Sequence, residues 1–190
     1  MTVMKPFFCC AVLLVTAAAS SGATVLANVG VFGFPAMLSY RNATSRGWNF
    51  GNSAANAPAV TLLGVPFAGN TGVNDAATGL VFTTAPSTYA ISGFVWTGAP
   101  EQAARDALSR GGLHGGAGNF AMRFNTVPGK SYILEILALD AATTLGRSMD
   151  VIIDGVTVIN DWVVPLGNPF NRLARIQVVA DADGIDLRLG

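Results

Sequence analysis

The chain predicts an all-β fold, an antiparallel β-sandwich with one short helix, and three observations carry that expectation. Phe120, Met122 and Phe124 alternate with Ala121 and Arg123, the period of two expected of a strand with one buried face. Val127-Pro128-Gly129-Lys130 then supplies a turn before the apolar run Tyr132 to Leu139. Asp154-Gly155 separates Met149–Ile153 from Val156–Ile159, the dipeptide that a type I′ hairpin favours because both of its central residues need positive φ.

The remaining elements follow along the chain. Residues 1–23 read as an export signal: Lys5 gives a weakly positive start, Phe7 to Ala19 is apolar, and Ala17 to Ala23 are small residues suited to cleavage. The apolar run is shorter than the roughly 20 residues that span a bilayer. The domain is then expected over residues 24–190, with a first strand near Thr24–Phe32. A turn-rich link follows at Asn52–Pro58, then an apolar run at Ala59–Val65 and a turn cluster at Ala68–Asp75. Further strands are expected at Gly79–Thr83 and Tyr89–Thr97. A helix is expected near Pro100–Arg110, with Pro100 in its first position, Glu101 at its positive end, and Ala103, Ala104, Ala107 and Leu108 as its apolar stripe. It is expected to cap one end of the sandwich.

Composition removes several functional classes. Eleven basic residues balance eleven acidic ones and no basic run exists, which argues against nucleic acid as a partner. Both cysteines, Cys9 and Cys10, lie in the export segment, so a cleaved chain would hold neither a disulfide nor a thiol nucleophile. Disulfide-free export fits a bacterial surface protein better than a small animal ectodomain. The localisation expected is secreted or cell-surface, with no membrane contact beyond export.

Four passages resemble the malectin-like members of the galactose-binding-like, jelly-roll β-sandwiches of secreted bacterial proteins. They are Arg46-Gly47-Trp48-Asn49 with Thr61-Leu62-Leu63 and Thr78–Phe82, Asp106-Ala107-Leu108 with Phe120–Phe124, Val127–Tyr132, and Gly146–Gly155 with Val158 and Asp161. The resemblance is strict only over Phe120–Asp161, and its motifs are turns. It implies a non-catalytic carbohydrate-binding module, and it allows a structural calcium without locating one; no other cofactor is expected. Related domains continue for one more strand after a passage like Gly184–Leu189, so the resemblance implies a shortened sheet or a fragment.

The candidate binding residues are Trp48, Arg46, Asn49 and His114. Trp48 lies in a polar, loop-like stretch, Asn42–Gly51, and is expected to be an exposed platform for a sugar ring, whereas Trp96 and Trp162 are expected to be core. His114, the only histidine, sits in a glycine-rich loop and cannot build a multi-histidine metal site. Asp181, Asp183 and Asp186 surround Gly184, a pattern that an Asp-Gly turn explains without a metal. Glu101 and Glu135, the only glutamates, fall on different elements, so no carboxylate pair for glycoside hydrolysis is nominated and the chain is not expected to be an enzyme. The alternative to glycan binding is a structural or adhesive extracellular domain that binds protein through an open sheet edge.

Overall fold

The computed structural model describes residues 8–16, 27–32, 36–90, 101–114, 120–139, 147–164, 173–182 and 184–190. It is an all-β sandwich of two sheets. Its strands are β1 (Phe8–Thr16), β2 (Ala27–Phe32), β3 (Arg46–Phe50), β4 (Val60–Leu62), β5 (Val65–Asn70), β6 (Leu80–Thr84), β7 (Ser87–Ala90) and β8 (Gly111–His114). They continue with β9 (Phe120–Phe124), β10 (Ser131–Leu139), β11 (Arg147–Ile153), β12 (Val156–Val164), β13 (Leu173–Val179) and β14 (Ile185–Leu189), and the helix is α1 (Gln102–Leu108). The larger sheet runs β2-β13-β10-β1-β3-β5-β4, with β8 joined to β1 and β7 to β8; the smaller runs β12-β11-β14-β9-β6. Pairing is antiparallel except between β3 and β5.

The strands read from alternation and turns are where the sequence puts them. In β9 the buried positions are Phe120, Met122 and Phe124, and β14 repeats the pattern with Ile185, Leu187 and Leu189. Asp154 (φ 48°) and Gly155 (φ 80°) both adopt the left-handed conformation that the β11–β12 hairpin needs. Lys130 N–H donates to the Val127 carbonyl across Pro128-Gly129, closing the turn into β10.

Three expectations need correction. The stretch around Trp48 is not a loop: Arg46–Phe50 is an inner strand, paired with β1 on one edge and β5 on the other. Gly111–His114, expected as loop, is strand β8, and its glycines allow close approach. A Cβ on Gly111 would sit 2.5 Å from Gly51 Cα and 2.6 Å from the Phe50 carbonyl oxygen, so no side chain fits there. The helix does not cap an end. Leu108 packs with Met37, Leu62, Val65 and Phe67 in a second apolar cluster on the outer face of the larger sheet. Glu101 is the N-cap residue, in left-handed conformation, and its carboxylate accepts the Leu63 N–H instead of bonding the first turn. Pro100, and most of the strand expected at Tyr89–Thr97 including Trp96, lie outside the described residues.

The main core joins the sheets. Trp48 and Phe50 from β3, Tyr132, Leu134 and Ile136 from β10, and Ile176 from β13 meet β6, β9, β11, β12 and β14. Ring contacts cross the interface at Trp48–Phe124 (5.0 Å) and Phe50–Phe82 (6.2 Å). With the second cluster on its far side, the larger sheet is covered on both faces, which explains why β10 is apolar almost throughout.

Candidate functional site

Three of the four candidate residues lie on β3, where strand alternation puts Arg46 and Trp48 on one face and Asn49 on the other. Trp48 is fully buried, 0% exposed, against Phe124. Its Nε1–H donates to Thr78 Oγ1 (2.7 Å), and that hydroxyl donates to Asp75 Oδ2 (2.6 Å). The Thr78 hydroxyl bond holds the Asp75 carboxyl below its ordinary value, with further help from the Thr78 and Ala77 N–H groups and against a small burial penalty. Trp48 is therefore core with a satisfied indole donor, and the expectation of an exposed platform is overturned. Its burial follows from β3 being an inner strand, a fact hidden by the polar residues around it.

Arg46 lies at the start of β3 with its guanidinium 5.7 Å from the Trp48 ring centroid, and it donates to the Asn125 carbonyl (3.2 Å). Asn49 is fully buried. Its Nδ2 donates to the carbonyls of Pro58 (2.8 Å) and Ala107 (3.3 Å), pinning the loop after β3 and the end of α1 to the sheet. His114 ends β8 opposite Ser87; its side chain lies outside the described residues. The structure therefore places Arg46, Trp48 and Asn49 within one strand without gathering them into a cleft.

The polar feature that sequence reasoning missed is a clasp on the outer face of the larger sheet. Glu135 on β10 stands directly opposite Arg175 on β13. Arg175 Nε donates to Glu135 Oε1 (2.7 Å), and the two side chains are 4% and 1% exposed respectively. The second carboxylate oxygen accepts the Leu38 N–H (2.9 Å), while Arg175 Nη2 donates to the Ala36 carbonyl (2.7 Å). Tyr40, about half exposed, lays its ring 4.8 Å from the Arg175 guanidinium carbon. Burial pushes the Glu135 carboxyl up, and the Leu38 N–H and Arg175 pull it back. The sequence places Glu135 on the face of Ile133 and Leu137, but its partner is 40 residues away and no local pattern announces it.

The aspartates near Gly184 serve the fold. Asp186 on β14 makes a two-bond pair with Arg123, its cross-strand neighbour on β9 (both 2.7 Å). Asp181 Oδ1 accepts the Gly184 N–H (3.1 Å), and Asp183 lies outside the described residues. Among the described residues no group of three His, Cys, Asp or Glu side chains could hold a metal ion.

Asp154 is near this group: its Oδ1 accepts the Asp186 N–H (2.8 Å), and its buried Oδ2 has no hydrogen-bond partner among the described residues. Burial raises its carboxyl above the ordinary 3.8. The Asp186 N–H opposes that shift, the Asp181 and Asp186 charges add to it, and Arg123 opposes it. The folded state therefore holds this proton more tightly than the unfolded chain. Stability from this group is greatest in acid and falls as pH rises through 3.8 toward the raised folded value, beyond which the loss is constant. Asp154→Asn keeps an acceptor for the Asp186 N–H and tolerates the left-handed turn. Its melting temperature is expected to match the parent near pH 3 and to exceed it at pH 7. Equal melting temperatures at both pH values would remove the penalty from this account.

In comparisons with known proteins, no family model, curated protein or solved structure matches the chain. Among the described residues no helix is long and apolar enough to cross a membrane.

Proposed function

We propose that the chain is a non-catalytic interaction domain of a secreted or cell-surface protein, of the structural or adhesive class, which binds polypeptide rather than sugar. The burial of Trp48 carries this reading. A sugar platform needs an exposed aromatic face, and the indole nominated for that role is packed between the sheets. Both glutamates are held by structural partners, Glu135 by Arg175 and Glu101 by the Leu63 N–H, which supports a non-catalytic role. Strand β12, at the edge of the smaller sheet, carries Val156 and Val163 more than half exposed, apolar surface suited to protein contact. Sedimentation velocity over a range of concentrations, run beside a glycan array, tests the reading. The expected result is concentration-dependent association and a blank array; a glycan response from a monomer would reverse it.

One observation favours the carbohydrate-binding, malectin-like reading as the second choice. Tyr40 is 53% exposed on a rigid backing formed by Arg175. Under that reading Tyr40→Ala abolishes the array signal while stability changes by no more than about 1 kcal/mol, the scale of an exposed cation–π contact.

A further inference from the structure

Phe8–Thr16 has the character of an export signal's apolar core, yet it is the most enclosed position of the larger sheet. Strand β1 lies between β10 and β3. It pairs with β10 from Phe8↔Leu139 to Thr16↔Tyr132, with β3 from Ala11↔Asn49 to Leu14↔Arg46, and with β8 at Cys9↔Leu113. The outer edge of β10 is already occupied by β13, and that of β3 by β5. Cutting the chain after residue 19–23 would thus leave two facing strand edges separated by two ladder spacings, about 10 Å. Both would present unpaired N–H and C=O groups beside core side chains such as Leu134 and Ile136, an arrangement that costs free energy at each buried group.

The gap cannot close by a simple slide. Strand β3 is anchored on the smaller sheet through Trp48–Phe124 and Phe50–Phe82, so moving it one strand width toward β10 would break both ring contacts. Resting on the reading of an exported interaction domain, we propose that the position of β1 is a strand-acceptor slot. Once the chain's own segment is removed, the slot takes an extended, uncharged, apolar segment of about nine residues donated by a partner polypeptide, added as a strand to both edges. Phe8–Thr16 seated there defines the chemistry that fits: antiparallel to β10 and β3, free of proline, and without charge. The register sets Leu13 opposite Glu135, whose carboxylate is already engaged by Arg175 and Leu38, so the donor needs no cation at that point.

The test uses the full chain with a specific protease site inserted within residues 17–26. After cleavage the N-terminal fragment is expected to remain bound through size exclusion. A labelled peptide of the 8–16 sequence, with serine for both cysteines and flanking lysines for solubility, is then expected to replace it at one per chain. The same peptide with proline for Leu13 and Leu14 should bind at least about tenfold more weakly, because proline removes ladder donors. If stripping the fragment unfolds the protein, added peptide should restore the fold and the amide protection of residues 46–50 and 131–139. Release of the fragment with those amides still protected and no peptide uptake would overturn the proposal, as would secreted protein that still begins at Met1. A positive glycan array would count against the interaction-domain reading and would leave the peptide result to be judged separately.

Discussion

Glu135→Gln is expected to lower unfolding stability by about 3–5 kcal/mol, the cost of leaving a buried guanidinium without its counter-charge. Arg175 is only 4% exposed, so water cannot replace the lost carboxylate. The neutral amide would also have to choose between the Arg175 guanidinium and the Leu38 N–H, which now take separate oxygens. Since a domain holds only about 5–15 kcal/mol in total, this single change would remove a large share of it. Urea unfolding of the variant measures the effect. The double variant Glu135→Leu, Arg175→Met provides the control, because replacing both members of a buried pair with apolar groups is frequently neutral or stabilising. A double variant as weak as the single one would show that the clasp acts through the 36–41 backbone and not through the charge.

Trp48→Ala is expected to cost about 3–5 kcal/mol as well, by a different mechanism: an aromatic-sized cavity opens between the sheets. The indole contact with Phe124 and the hydrogen bond to Thr78 go together. An exposed platform would have given almost no change, so thermal unfolding of this one variant separates the two placements of Trp48. Trp48→Phe keeps most of the volume but loses the indole donor, and it should recover most of the loss. Equal losses in the two variants would instead assign the effect to the Thr78–Asp75 hydrogen bonds.

What the sequence makes legible here is what is encoded within a few residues. Alternation at Phe120–Phe124, the Pro-Gly turn and the Asp-Gly hairpin each depend on local sterics, and each stands where expected. Burial of Trp162 (4% exposed) follows the same logic. The hairpin between β4 and β5 escapes because its first turn residue is Leu63, at φ 51°, where a leucine gives no turn signal, so the sequence pattern splits β5 between an apolar run and a turn cluster. The misplacement of Trp48 and Asn49 has a non-local cause. A strand covered on both faces and both edges can carry Arg, Gly and Asn when distant groups bond them: Asn125 accepts from Arg46, and Pro58 and Ala107 accept from Asn49 Nδ2, although Asn49 Oδ1 is buried without a partner among the described residues. The Glu135–Arg175 clasp is illegible for the same reason.

The central place of β1 also sets a timetable for synthesis. Phe8 pairs with Leu139, so roughly 130 residues must be added before the partner edge exists, on the order of ten seconds at ordinary elongation rates. Throughout that interval the apolar segment has only the edges of β3 and, later, β8 to join, and its longest ladder, with β10, is still missing. Pairing at such sequence separation is also slow, because loop closure precedes any reward from the contact. The nascent chain therefore exposes Phe8–Thr16 to other binders, chaperones among them, well before the β10 edge can compete for it, and kinetics as well as final stability decides which of them receives it.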